Sequence, residues 1–385
     1  CLCERRSFMR AIDLIRKIYI DESVADSPLA RNVRLRALPG VEIETTSQSA
    51  EILNHFRKNG NIEDKHTLLL YPFPGKFMSF CPGSDGMVCC NYFVINFGYG
   101  CLYDCHYCFL QNYLNNPLLT MFANTNDLFA EIDKKIHGKK FHFRIGTGET
   151  TDSLALEPLT GMAEILVNHF AELPNATLEL KTKSSNVDSL LGLDHRGHTV
   201  ISWSVNPPGI VSEVETGTAT LEERLAAARK AEAAGYRLAF HLDPVIHFEG
   251  WEKQYHDLID LIFSTVRADS VAWLSLGSFR YLPGLKTVIQ GRFPEDTLTR
   301  EEMVQGPDGK YRYFKTIREE MYRSIRAKVQ SVDPKLFLYL CMETKRMWED
   351  VFQFVPESAK NLDAGFEERR NYMDSLHPPA AAPVL

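Results

Sequence analysis

No stretch of the 385-residue sequence approaches the roughly 20 consecutive apolar residues that a membrane-spanning helix needs, so a role in crossing a bilayer is not expected. A secretory leader is not visible either. The basic start lacks an apolar run leading to a small-residue cleavage site, and the expected location is the cytoplasm. Positive charge is not in excess: 43 lysines and arginines face 50 aspartates and glutamates, for a formal net charge of −7. This argues against a surface coated in cations, although a local basic groove is enough to follow phosphates. Internal repeats are missing. Only the tail, 376–385, is biased in composition and expected to be disordered.

Cysteine, by contrast, is concentrated. Six of the nine cysteines fall between Cys81 and Cys108. A disulfide scaffold would be short and secreted, whereas clustered cysteines in a long intracellular chain point to metal. Cys1 and Cys3 precede Met9, a candidate initiator, and are set aside. The informative group is Cys101-x3-Cys105-x2-Cys108, which follows the strand-like run YFVINFG (92–98) and opens with Gly98 and Gly100. Three thiolates at these spacings can hold one face of a [4Fe-4S] cluster and leave the fourth iron open. The open iron can chelate S-adenosylmethionine, whose sulfonium a low-potential cluster can split to a 5′-deoxyadenosyl radical. The alternative is zinc or buried free thiols. Zinc prefers four ligands with paired two-residue gaps; no second pair lies nearby, and His106 sits inside the loop.

Hydrophobic patterning predicts strand–helix alternation from residue 91 onward. Strands are expected at 92–98, 141–146, 177–183, 199–205, 236–245 and 270–279. Helices are expected near 125–137, 158–171, 185–192, 220–235 and 251–266. Thr220 with Glu223 makes a capping box, and Gly235 a stop. Such alternation implies parallel strands with right-handed crossovers, in an open doubly wound sheet or a barrel-like one. The cysteines, Gly146–Glu149, Lys183, Asn206 and Asp243 all follow strands, where both architectures place chemistry. Before residue 91 a short helical pattern (10–17), extended pieces and a loop from Pro72 to Cys90 are read. After Arg280 come a hairpin over 303–316 turning at Pro307-Asp308-Gly309, a helix (317–329) and a last strand (335–343). The organisation expected is therefore an N-terminal extension (1–90), an α/β region (91–280), a C-terminal extension (281–375) and the tail.

The cysteine motif resembles the signature of the radical S-adenosylmethionine superfamily. FGYGCLYDCHYCFLQ, KTKSSNVDSLL, SWSVNP, TGTATLEERLAAARKAEAAGY and DPVIHFEGWEKQY are similar to one branch of it, the spore photoproduct lyase family. The resemblance implies a partial (β/α)6 TIM-like barrel with N-terminal and C-terminal extensions and the cluster at its mouth. It implies that Lys183 and Ser204, with Asn206 beside them, contact S-adenosylmethionine. It also implies a substrate in damaged DNA, and an electron donor such as flavodoxin or ferredoxin. A dimerised pyrimidine is poorly stacked and costs less to extrude than a normal pair.

Two positions depart from the family. Where it places a hydrogen-donating cysteine, in the loop after the second strand of the barrel, this chain has Glu149. Where it has a tyrosine after the third cluster cysteine, the chain has Phe109; Tyr107, inside the motif, is retained as a relay candidate. Glu149 is read as an acceptor for the amino group of S-adenosylmethionine, or else as a carboxylate capping the next helix. Cys341 is the candidate replacement donor, or else a core thiol. Cys81, Cys89 and Cys90 are candidates for a second metal or for a cover over the cluster loop. Lys310, Tyr311, Arg312 and Tyr313 form a basic–aromatic arm suited to nucleic acid, or else a solvated hairpin. A radical enzyme acting on a small molecule or peptide, and a non-enzymatic metal-containing nucleic-acid-binding protein, are the competing functions.

Overall fold

The computed structural model describes residues 11–58, 64–84, 86–356 and 359–376. Cys1, Cys3, Met9 and residues 377–385 of the tail lie outside them. The main sheet has eight strands whose spatial order follows the chain: β1 (Met78–Phe80), β2 (Phe93–Ile95), β3 (Phe143–Gly146), β4 (Ala176–Thr182), β5 (Thr199–Ser204), β6 (Arg237–Val245), β7 (Val271–Ser278) and β8 (Leu338–Leu340). From β2 to β8 every pairing is parallel, and β1 runs antiparallel at the edge. The six predicted strands are β2 to β7, and the sheet curls into the partial barrel. Its helix-facing side is apolar: Leu178, Leu180, Ile201 and Leu238 are fully buried.

Helix Leu221–Ala233 shows how the sequence sets its own ends. The Thr220 side chain accepts from the Glu223 N–H, and Glu223 accepts from the Thr220 N–H. Past its end, Gly235 takes φ +85° while the Tyr236 N–H reaches back to the Ala231 carbonyl, a glycine-closed terminus.

Other elements differ from expectation. The 10–17 helical pattern is one 3-10 turn, Ala11–Leu14, followed by strand Lys17–Asp21. That strand lies between Glu42–Thr46 and Asp64–Tyr71, both parallel to it, and buries Ile18 and Ile20 completely. Pairing on both sides outweighs a weak local helical signal. The Pro72–Cys90 loop contains β1 and the short strand Met87–Val88, which pairs with Glu343–Thr344. The helix expected near 185–192 is a run of turns, because Ser184 and Thr182 hydroxyls capture the N–H groups of Asn186 and Ser184. Leu118–Phe122, not expected at all, joins the N-terminal sheet beside Asp64–Tyr71 and pairs on its other side with Gly98–Tyr99. Among the described residues no helix is long and apolar enough to cross a membrane.

Candidate active site

The C-terminal ends of the strands open into a cavity of about 440 Å³. One wall is the cysteine loop. Gly98 pairs with the Leu118–Phe122 strand so closely that a Cβ would lie 2.7 Å from the Thr120 carbonyl oxygen, and Gly100 adopts φ +84°. Glycine is needed at both points to turn the chain into the motif. Cys105 then pairs with Glu215 in a short antiparallel bridge, and the Cys108 N–H donates to the Cys105 carbonyl.

Several residues outside the motif hold this loop. Gln111 Nε2 donates to the carbonyls of Cys105, His106 and Cys108 at 3.1, 2.9 and 3.2 Å. Arg292 bonds both carboxylate oxygens of Asp104 at 2.8 and 3.0 Å and also bonds Gln111. His106 lies 2.5 Å from Asp296 and stacks on Phe293, with ring centroids 3.8 Å apart. Lys65 donates to the Tyr103 carbonyl.

Cys101, Cys105 and Cys108 line the same cavity. Burial pushes the Cys101 thiol up to about 12 and that of Cys105 well above its ordinary value, while Lys65 and Lys183 act in the opposite sense. Three sulfur donors from one loop, bordered by two lysines, fit an iron–sulfur cluster with one iron left for another ligand. Among the described residues no three His, Cys, Asp or Glu side chains converge on a single metal-ion position, so Cys81, Cys89 and Cys90 form no one-ion site, and Cys101, Cys105 and Cys108 stand as donors to a larger cluster rather than to one ion. Cys81, Cys89 and Cys90 line the cavity rim instead.

Behind the loop lies a buried polar knot. Glu215 forms an ion pair with Arg224 at 2.6 Å and accepts from Asn206 Nδ2 at 3.0 Å and from the Tyr107 hydroxyl. Tyr255 donates to Asn206 Oδ1 at 2.9 Å. Asn206 therefore uses both ends of its amide inside the protein and does not line the cavity, unlike Lys183 and Ser204, which do. Tyr107 edges the cavity, but its hydroxyl is committed to Glu215. Lys183 Nζ stands 5.6 Å from the Tyr107 ring centre. The Lys183 N–H is fixed by Asp152 at 2.7 Å, and the same carboxylate accepts from Thr182 Oγ1, Leu154 N and Ala155 N. Asp152, not Glu149, is thus the carboxylate that caps the following turn.

The same cavity is also lined by Glu149, Lys181, Asp243, Arg280, Lys310 and Cys341. Burial raises the Glu149 carboxyl; Lys181, Asp243, Lys310 and Arg280 are the charges around it. Arg280 pairs with Asp243 at 3.1 Å and lies 3.7 Å from Cys341 Sγ. Burial also raises the Cys341 thiol far above its usual value, keeping the proton on sulfur.

The hairpin is present, between Val304–Gln305 and Tyr311–Arg312, and Arg280–Tyr281 adds a third strand. Half of the basic–aromatic arm turns inward. Arg312 is buried against Asp308 at 2.5 and 2.7 Å, and buried Tyr313 accepts from the His247 N–H. Charge pairing and apolar contact take these two away from solvent. Lys310 and Tyr311 stay near the cavity; Lys310 Nζ bonds Ser84 Oγ at 2.8 Å, and Tyr311 stacks on Tyr281 at 5.6 Å. Phe109 and Tyr113 stand exposed at the cavity mouth.

Gln111, Arg292, Asp152 and Lys181 were not singled out from the sequence. Gln111 and Lys181 lie within quoted motifs, and Asp152 follows the Gly146–Glu149 loop, so a polar residue next to special backbone was the available signal. Arg292 acts from 188 positions away and leaves none.

A spore photoproduct lyase family model matches residues 85–340. The chain is 27% identical over 296 residues to spore photoproduct lyase of Bacillus subtilis (strain 168), covering 74% of this chain and 84% of that one. It is 31% identical over 207 residues to spore photoproduct lyase of a Geobacillus species, covering 53% and 61%. A solved structure of a doubly substituted spore photoproduct lyase with bound AdoMet and dinucleoside spore photoproduct matches with a TM-score of 0.71 at 25% identity, over 85% of this chain and 98% of that one.

Proposed function

The chain belongs to the spore photoproduct lyase family, and from that premise we propose that it cleaves a thymine-dimer lesion in damaged DNA by hydrogen-atom abstraction. The family sets the class: a lyase of the radical S-adenosylmethionine type. One observation carries the substrate reading, a single cavity lined both by the three thiols of one loop and by charged residues of both signs.

A [4Fe-4S] cluster bound to Cys101, Cys105 and Cys108 supplies, when present, the electron that splits S-adenosylmethionine into methionine and a 5′-deoxyadenosyl radical. The chain's own residues bind, orient and shield. Lys183 and Ser204, on the strand ends beside the cysteine loop, orient S-adenosylmethionine. Glu149 offers a carboxylate to a cationic group such as its amino group. Asn206 and Tyr107 act from behind, through Glu215, to set the loop. Phe109 and Tyr113 at the mouth limit water. Cys341 keeps its proton and borders the cavity, so it can return a hydrogen atom: the atom moves from sulfur to the substrate carbon, and the unpaired electron is left on sulfur. The one-electron donor is a small redox protein such as flavodoxin or ferredoxin, and the setting is the cytoplasm.

The test is anaerobic reconstitution with dithionite and a thymine-dimer oligonucleotide. Repair of the lesion, with deuterium passing from labelled DNA into 5′-deoxyadenosine, is expected. The Cys341→Ala variant should still consume lesion but yield products other than intact thymine. Formation of 5′-deoxyadenosine with the lesion untouched would move the chain to a small-molecule or peptide substrate.

A further inference from the structure

Along β4 the side chains of Glu179, Lys181 and, just beyond its end, Lys183 fall on the inner face of the barrel, two residues apart. Each sits in a different layer. Glu179 is deepest, bonded to His241 at 2.6 Å and to the Tyr92 hydroxyl at 2.5 Å. Lys183 is outermost, beside the Tyr107 ring and the cluster loop. Lys181 lies between them.

Its ammonium is unusual among the cavity's charges. Lys310 has Ser84, Arg280 has Asp243, and Lys183 rests over an aromatic ring. Lys181 Nζ has no hydrogen-bond or ion-pair partner within reach among the described residues. Burial opposes its charge, but Asp243, Glu179, Cys341 and Glu149 surround it at longer range and raise its pKa above the ordinary lysine value. A charged group with three donors, held in a largely enclosed space, is costly unless something accepts those bonds. The stem has little freedom to swing elsewhere. Gly148 packs so tightly on it that an added Cβ would stand 2.8 Å from Lys181 Cβ and 3.1 Å from its carbonyl oxygen. The base of the side chain is therefore packed on one side by the Gly148 backbone, and the side chain lines the cavity.

We propose that Lys181 is a substrate-binding residue, donating to an acceptor oxygen of the lesion. This rests on the lesion-lyase reading above. The oxygen has two possible sources in a pyrimidine dimer: a ring carbonyl, or the phosphate that bridges the two nucleosides. Lys181 faces Glu149 and Asp243, one layer below the level of Lys183, so it addresses the substrate rather than S-adenosylmethionine.

The experiment uses reconstituted full-length protein with S-adenosylmethionine present and measures affinity for dinucleoside spore photoproduct and for its phosphate-bridged dinucleotide. Lys181→Met should weaken lesion binding by roughly ten- to a hundredfold, the worth of a hydrogen bond from a charged donor. Lys181→Arg should recover most of it. Iron content and S-adenosylmethionine affinity of both variants should match wild type, which separates a binding defect from a folding one. An equal loss for both probes assigns the contact to a ring carbonyl, and a loss confined to the dinucleotide assigns it to phosphate. Wild-type protein that binds and cleaves lesion while Lys181→Met binds each probe as tightly as wild type would overturn the inference. Wild-type protein that neither binds nor cleaves lesion would instead overturn the reading beneath it.

Discussion

Glu157 shows how a single side chain writes pH dependence into this fold. It opens the turn Glu157–Thr160, is buried, and accepts from Ala163 N at 2.7 Å, Glu164 N at 3.3 Å and Ser189 Oγ at 3.0 Å. Burial still outweighs these bonds and pushes its carboxyl up to about 7 from an ordinary 4.5. The folded chain then binds a proton that the unfolded chain has released, so stability falls as pH rises from 4.5 to about 7 and the cost is complete above that. The cost is on the order of a few kcal/mol. Glu157→Gln keeps an acceptor oxygen and removes the charge. Its urea midpoint should match wild type at pH 4.5 and exceed it at pH 8. A wild-type-to-variant difference that stays constant across that range would mean that Glu157 titrates like an exposed glutamate. At this scale the grouping of Cys101, Cys105 and Cys108 on one cavity-lining loop was legible in the sequence, because their spacing is local. Glu215, Arg224 and Gln111 were not, because their meaning lies in partners brought close only by folding.

Elements carry a different kind of information. The six barrel strands were readable since each is a run of β-prone residues ended by a helix signal, with Thr220 and Gly235 marking one helix completely. Leu118–Phe122 was missed because five consecutive buried residues have no alternation to distinguish strand from buried helix. The helix Pro283–Arg292 was also unremarkable in sequence, yet it anchors the cysteine loop. Its last residue, Arg292, grips Asp104 and Gln111, and the segment that follows adds Phe293 and Asp296 against His106. Arg292→Ala should leave this helix and the sheet in place but loosen the loop. Loss of a partly exposed bidentate pair is worth about 1 kcal/mol, or several-fold in a rate. Reconstituted variant protein should therefore release iron to a chelator several-fold faster than wild type, with far-ultraviolet circular dichroism unchanged. Equal release rates would mean that the loop is held adequately by Gln111 and the Cys105–Glu215 bridge alone.

On the scale of the whole molecule, the proposed DNA substrate sets the question of how a chain of net charge −7 would approach a polyanion. Net charge supplies no general attraction, so the cations that line the cavity are the ones expected to meet the substrate. The basic–aromatic arm is smaller than its sequence suggests, because Arg312 is neutralised by Asp308 inside the protein and Tyr313 is buried. What remains at the cavity for the substrate is Lys310 and Lys181, with exposed Phe109 and Tyr113 at the mouth as apolar surfaces for bases. Such a site neutralises about two phosphates, by this count. Each released counterion contributes a slope near −0.9 in log affinity against log salt, so raising salt from 50 to 200 mM should weaken lesion-duplex binding by roughly tenfold. A basic groove with six or more contacts would lose a thousandfold or more over the same range. Fluorescence anisotropy on a lesion-bearing duplex distinguishes these cases. A loss of a thousandfold would require a phosphate-tracking surface away from the cavity. No salt dependence would mean that the substrate is held by stacking and hydrogen bonds without its backbone. The intermediate slope is what an acidic protein with a small cationic mouth should give, and Lys310→Gln should lower that slope by about one contact.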